Sequence, residues 1–288
     1  MPPRKNKQKR LTAILQEMRQ VLIAFSGGVD STFLVYLANQ VLPGKVLAVT
    51  AVSETYPVKE LKEAKALAKK IGVRHLIIKT SELENKKFKA NTVERCYFCK
   101  KELFSRLKKL ARENYLGIVA DAANIDDLQD YRPGSRASKE LGIRHPLQEA
   151  GLTKKDIRQM SRMFGLPTWN KPALACLASR IPYGHEIKRK NLARIDRAEE
   201  FLRTLKLRQI RVRDYGTMAR IEVEPSGLLK ILKNRKKVIR YFKQLGYLYI
   251  SLDLAGYRMG SLNEELPVTA KGSRNERQLP VSTKSSKK

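Results

Sequence analysis

Residues 23–32 read IAFSGGVDST, an apolar run broken by Gly27 and Gly28 and followed by Asp30, Ser31 and Thr32. A strand that ends in such a turn and opens a helix presents several free backbone N–H groups at one point, and the helix dipole adds partial positive charge. The glycines let the backbone approach a ligand without a Cβ in the way. Ser26, Ser31 and Thr32 add hydroxyl donors. The stretch reads as a phosphate cradle. It has neither the GxxxxGK of a Walker loop nor the GxGxxG of a dinucleotide fold. Asp30 beside anions calls for a bridging Mg²⁺. The plain alternative is a Gly-rich turn with an Asp or Ser cap.

Cys96 and Cys99 stand in CYFCK, and Cys176 in PALACLASRIPYG. Three cysteines do not suit a disulfide framework and point to thiolate chemistry or metal. A helix N-terminus with Arg95 and Lys100 adjacent is expected to lower the thiol pKa. Three thiolates can hold three irons of a 4Fe–4S cluster and leave the fourth open. Zn²⁺ fits less well, because no His stands near Cys96 or Cys99, though His185 lies near Cys176. A redox dithiol at Cys96 and Cys99, or three reduced structural cysteines, also fit the spacing.

Elements that position these residues follow from the apolar pattern. Strands are expected at 19–25, 46–52, 73–80, 117–123 and 143–147. Helices are expected at 31–41, 57–71, 96–114 and 153–164, with a polar loop at 82–91. Pro57 opens and Gly72 closes the second of these helices. This alternation predicts a doubly wound parallel α/β sheet over 19–166. Pro167, Pro172 and Pro182 then break the pattern. A helix at 190–206, strands LRQIRVRD and TMARIEVE joined by a turn at Tyr215 and Gly216, a helical stretch at 226–245 and a strand YLYISLDL predict a small α+β domain over 167–265. A basic segment at 1–18 and a basic, Ser-rich tail from 266, expected to be disordered, flank the two.

The 288 residues suit one large domain or two modest ones. No apolar run is long enough to span a bilayer or to form a secretory signal, so a cytoplasmic protein is expected. Formal net charge is +31, with 59 Lys and Arg against 28 Asp and Glu. That balance suits nucleic acid or anionic small molecules. A lysine-rich proteome is the bland alternative.

SGGxDS after the first strand resembles the PP-loop of the ATP pyrophosphatases. Further stretches, ERCYFCKKELF, ANIDDLQDYRPG, PALACLASRIPYG, RIDRAEEFL, IRVRDYGTMARIEV and the GYR at Tyr257, resemble the LarE-type sulfur transferase family over about 12–265. The resemblance implies adenylation by ATP of a pyridinium biscarboxylate mononucleotide and replacement of oxygen by sulfur. It implies that Cys96, Cys99 and Cys176 hold a 4Fe–4S cluster, as in a three-cysteine branch. In the other branch the cysteine matching Cys176 gives up its own sulfur and becomes dehydroalanine. It also suggests a homo-oligomer, with the sulfide source left open.

Roles follow on that basis. Ser26, Gly27, Gly28, Asp30, Ser31 and Thr32 are expected to bind ATP phosphates. Asp126 and Asp127 are candidates for Mg²⁺ or ribose, or else a capping pair. Ser179 and Arg180 are candidates to steady the phosphate or adenylate. Arg211 and Arg213 share one strand face and with Arg258 could grip the substrate phosphate. Glu222 and Glu224 share a face and are candidate metal ligands; Glu199 sits on a helix nearby. Tyr97 could stack on a pyridinium ring, or be a core aromatic. His75 and His145 read as structural. A tRNA thiolase with the same loop is the main rival, and an amide-forming synthetase the second, which would leave the cysteines idle.

Overall fold

A computed structural model describes residues 3–129, 133–172, 175–258 and 260–265. The tail from 266 lies outside the described residues. The N-terminal segment is a helix, α1 (Pro3–Met18). Its basic composition hides Leu11, Leu15 and Met18, which recur at i, i+4 and i+7 and are buried. Burying each leucine contributes about 1.5–3 kcal/mol.

The first half then runs β1 (Val21–Ala24), α2 (Val29–Val41), β2 (Val46–Val52), α3 (Val58–Ile71), β3 (Arg74–Lys79), α4 (Lys86–Lys89), α5 (Arg95–Glu113), β4 (Val119–Ala120), α6 (Gly134–Glu140), α7 (Pro146–Glu149) and α8 (Lys154–Met163). The four strands are parallel, in the order β3-β2-β1-β4. Val21 and Ile23 face one core with Phe33, Leu34 and Ile157. Leu22, Leu47 and Val49 face the other with Phe104 and Leu107. Strands buried on both faces need no polar alternation, which is why they read as apolar runs.

Local chemistry overturns two expectations here. The polar loop at 82–91 contains a 3₁₀ turn (Glu82–Glu84) and α4, whose cap Asn85 accepts from the N–H groups of Lys87 and Phe88. The strand expected at 143–147 is replaced by α7, because Pro146 fits a first helical turn. Only an isolated parallel bridge, Ala120 to Arg144, remains there.

The second half holds α9 (Arg189–Thr204), β5 (Ile210–Tyr215), β6 (Met218–Val223), α10 (Pro225–Lys233), α11 (Arg235–Gln244) and β7 (Tyr249–Leu252). Its sheet order is β5-β6-β7, with β5 antiparallel and β7 parallel to β6. Tyr215 still pairs with Met218, so the turn is Gly216-Thr217, with Gly216 at φ +77°. The helical stretch at 226–245 divides at Asn234. Val212, Ile221, Val223 and Phe242 form this half's core. Among the described residues no helix is long and apolar enough to cross a membrane.

Candidate active site

In the first sheet the connections leave β1 toward β2 on one side and reach β4 on the other. The carboxyl ends of β1 and β4 therefore form the switch point where open α/β sheets bind ligands. SGGVDS follows β1 at that edge. Gly27 has φ +66°, and a Cβ there would stand 3.1 Å from Ala64 Cβ and 3.2 Å from Ala64 Cα on α3. Gly28 caps α2, its carbonyl accepting from Thr32 N at 3.0 Å. Ser26 Oγ and Ser31 Oγ lie 3.1 Å apart. Thr32 is fully buried, yet its Oγ1 has no partner, and neither does the buried Asp30 Oδ1. Unpaired buried oxygens at a phosphate cradle fit an incoming cation and anion. Burial raises the Asp30 pKa, against the opposing pull of Lys154, whose Nζ contacts Asp30 Oδ2.

A second lysine reaches the loop from the linker. Lys171 Nζ donates to Gly27 O (3.1 Å) and Glu60 Oε2 (2.7 Å), and pairs with Glu63 Oε2 (2.7 Å). It lies on a cleft of about 630 Å³ between α3 and β5, whose walls include Lys59, Lys70, Arg203, Arg208 and Arg211. Such a cleft attracts anions.

Across the switch point, the loop after β4 ties itself in Asx turns. Asn124 Oδ1 accepts from Asp126 N and Asp127 Oδ2 from Asn124 N, each at 3.0 Å. Asp126 Oδ2 accepts from Lys154 N at 2.8 Å. Asp126 and Asp127 thus make capping contacts. Upstream, Asp121 Oδ1 meets His145 Nδ1 at 2.5 Å, and Asp121 Oδ2 lies 3.6 Å from Lys100 Nζ on the cysteine helix. His145 Nε2 reaches Ser138 Oγ at 3.0 Å, while His75 Nε2 reaches Thr50 Oγ1 at 2.8 Å. Both histidines sit in such networks.

Cys96 and Cys99 lie in the first turns of α5. Cys176 caps a 3₁₀ turn (Leu177–Arg180) whose Leu177 N–H donates to Thr55 O, 2.9 Å, in the loop after β2. Cys96 and Cys176 are exposed and Cys99 is half-buried against Phe88, Leu177 and Ile181. Cys99 packs in one apolar cluster with Leu177 and Ala178, just after Cys176, and Arg95, next to Cys96, donates to Ala178 O at 3.1 Å, so the three cysteines share one neighbourhood. Among the described residues no three His, Cys, Asp or Glu side chains converge as a ready-made metal site. The expected lowering of the thiol pKa is reversed. Desolvation first, and Cys176 second, push Cys96 up and Cys99 well up, outweighing Lys100 and, at Cys96, Arg95. Much of Arg95 is committed elsewhere, to Asn91 Oδ1 and Ala178 O.

Charged side chains around Cys176 pair within the chain. Arg180 is buried and donates to both oxygens of Glu199 (2.8 and 3.0 Å), to Ala175 O (2.7 Å), to Cys176 O (3.0 Å) and to Ser179 Oγ (3.0 Å). Ser179 Oγ donates to Cys176 O at 2.8 Å. Arg213 forks onto Glu222 (2.8 and 2.9 Å) and donates to Ser179 O at 2.6 Å. Arg211 donates to Ile210 O and covers the Tyr257 ring at 5.2 Å; burial, then Arg180, lower its pKa to about 10. Arg258 pairs with Glu264 at 3.1 Å. Glu224 accepts from the N–H groups of Arg208 and Gln209, so the two glutamates serve different partners. Tyr97 donates to Glu140 at 2.8 Å, and Arg136 covers its ring at 4.0 Å. Sequence reasoning singled out neither Lys154, Lys171, Glu60 nor Asp121. Each reaches the site from a distant segment and carries no local signal.

Similarity to known proteins agrees with this geometry. The asparagine synthase family matches residues 11–95, which include the loop and the first three strands. An uncharacterized protein of Synechocystis sp. is 43% identical over 263 residues, 91% of this chain and 98% of its own length. An uncharacterized protein of Methanocaldococcus jannaschii is 33% identical over 240 residues, 83% and 91% of the two chains. The pyridinium-3,5-bisthiocarboxylic acid mononucleotide synthase of Lactiplantibacillus plantarum is 37% identical over 261 residues, 90% of this chain and 95% of its own. Loop, parallel sheet and near full-length identity together establish that the chain belongs to the LarE-type family of that synthase, within the PP-loop ATP pyrophosphatases.

Proposed function

We propose that this protein is an ATP-dependent sulfur transferase that converts a carboxylate of a pyridinium biscarboxylate mononucleotide to a thiocarboxylate. One observation carries the reading. The SGGVDS loop, with its unpaired Asp30 and Thr32 oxygens, and the turn after Cys176 are both tied to the loop after β2, where Tyr56 Oη donates to Ser26 O at 2.8 Å and Thr55 O accepts from Leu177 N–H at 2.9 Å.

The backbone N–H groups of the loop and the hydroxyls of Ser26, Ser31 and Thr32 bind the pyrophosphate part of ATP. Asp30 would hold Mg²⁺, which neutralises phosphate charge when bound. A substrate carboxylate oxygen attacks the α-phosphorus, the bond to pyrophosphate breaks, and an acyl adenylate forms. A sulfur nucleophile then attacks the acyl carbon and AMP leaves. The cationic cleft beside Lys171 suits an anionic substrate, and Arg211 lies on it.

Cys96, Cys99 and Cys176 match a 4Fe–4S cluster in donor type and lie on neighbouring segments, and they would have to draw together to hold it. When bound, it supplies an open iron that can carry sulfide. The raised thiols must then release protons on ligation. A second reading rests on the exposure of Cys176 at its turn: its own sulfur attacks, then β-elimination leaves dehydroalanine. Exposed Leu229, Leu248, Tyr249 and Leu254 on the second half support a homo-oligomer. A cytoplasmic setting and a small nucleotide partner complete the reading.

Anaerobic purification with iron and acid-labile sulfide analysis tests the sulfur source. Four irons, lost in Cys99→Ala, support the cluster. An iron-free protein that loses the mass of H₂S from Cys176 after turnover contradicts it and selects the sacrificial route.

A further inference from the structure

Lys154 and Asp30 are 124 residues apart, yet the ammonium of one sits on the carboxylate of the other. Lys154 is the first residue of α8, and its backbone N–H is held by Asp126 Oδ2 at 2.8 Å. Its Cα is therefore fixed to the loop after β4, while its side chain crosses the switch point to the loop after β1. That side chain is 33% exposed. Asp30 is more enclosed, at 20%, and its second oxygen is buried with no partner. Asp127 adds negative charge nearby. Arg158 adds positive charge, but its guanidinium donates to Trp169 O and Lys171 O at 2.8 Å each. Among the described residues, Lys154 is the cation in ion-pair contact with Asp30.

A divalent cation and an ammonium cannot share one enclosed carboxylate without strong repulsion. If the loop binds a metal nucleotide, as the proposed function requires, a metal at the unpartnered Oδ1 repels the ammonium on Oδ2 and favours its departure. We propose that Lys154 is the exchangeable counter-cation of the phosphate site. Without nucleotide it neutralises Asp30. When a metal–nucleoside triphosphate enters, it yields Asp30 to the metal and turns onto the phosphate chain. Charge balances at each stage: the carboxylate passes from ammonium to metal, and the ammonium from carboxylate to phosphate. Metal alone binds poorly, since the displaced ammonium has no anion to receive it. Metal and nucleotide therefore bind with positive coupling.

The test uses Mn²⁺ as probe, titrated into the full chain without nucleotide and followed by electron paramagnetic resonance. Lys154→Met is expected to bind Mn²⁺ at least about tenfold tighter than wild type, since a competing cation has been removed. With the metal chelated, ATP is expected to bind Lys154→Met more weakly than wild type. Lys155→Met, which changes an exposed neighbour, should match wild type in both assays. The double variant Asp30→Asn, Lys154→Met should lose the gain in Mn²⁺ affinity. It also keeps the pair uncharged should the single variant fold poorly. Wild type, Lys154→Met and the double variant binding Mn²⁺ within about twofold of one another would overturn the proposal. Failure of wild type to bind ATP even with Mg²⁺ would instead remove the ATP reading, while the Mn²⁺ comparison still decides the role of Lys154.

Discussion

Arg180 forks onto Glu199 at 2.8 and 3.0 Å with both side chains sealed from water, and the same guanidinium holds the carbonyl of Cys176 at 3.0 Å. The sulfur-bearing turn is thus fixed to α9 by a buried ion pair. Glu199 Oε1 also accepts from Val212 N at 3.1 Å, which extends the tie to β5. Breaking one partner leaves an uncompensated buried charge. Glu199→Gln should lower unfolding stability by about 3–5 kcal/mol in chemical denaturation. An unchanged midpoint would show that the pair does not hold the turn.

Gly27 is required twice over, by its positive φ and by the approach of Ala64. Gly27→Ala imposes about 1–2 kcal/mol of backbone strain and a contact of 3.1 Å that α3 must relieve. The loop should distort, and ATP affinity should fall about tenfold or more in calorimetry. Unchanged affinity would move the nucleotide off this loop.

Raised thiols make a kinetic prediction. In the cluster-free protein, Cys99, half-buried among apolar side chains, should react with iodoacetamide more slowly at neutral pH than free cysteine, because little thiolate is present. Its rate should rise only in strongly alkaline solution. Fast alkylation of Cys99 near neutral pH would mean that Lys100 outweighs burial after all.

Asp121 is held at about 2, below its ordinary 3.8. Burial alone would raise it, but His145, Lys100 and the Ala123 N–H together outweigh burial. A depressed carboxylate contributes stability that is full above the unfolded value and lost as pH falls through the folded one. The contribution is about 2 kcal/mol, present above about pH 4 and lost toward pH 2. The stability gap between wild type and Asp121→Asn should therefore narrow as pH falls through that range. A constant gap would show that Asp121 is not ion-paired.

The parallel sheet was legible because its strands are apolar on both faces and its helices carry ordinary signals, such as Pro57 and Gly72 around α3. Helix α1 was not, since lysines and arginines mask its three core positions. The strand expected at 143–147 failed at Pro146, whose preference for a first helical turn outweighed the apolar pattern. In the site, SGGVDS and the cysteines were legible because glycine spacing and thiols are rare. The pairing of Arg180, Arg213 and Arg258 with glutamates was not, because it depends on which segments the fold brings together. Lys154 and Lys171 were missed for the same reason. In so basic a chain, two more lysines stand out only when they touch a loop.

In the proposed function, one site joins ATP cleavage to sulfur transfer. The most direct measurement is anaerobic turnover of the purified protein with Mg-ATP and the pyridinium biscarboxylate mononucleotide, read by mass spectrometry for substrate and nucleotide together. The expected product is heavier by the difference between sulfur and oxygen, forms with AMP and pyrophosphate in equal amounts, and is absent in Asp30→Asn and Cys176→Ser. AMP formation that leaves the substrate mass unchanged in the presence of sulfide, or full activity in Cys176→Ser, would contradict it.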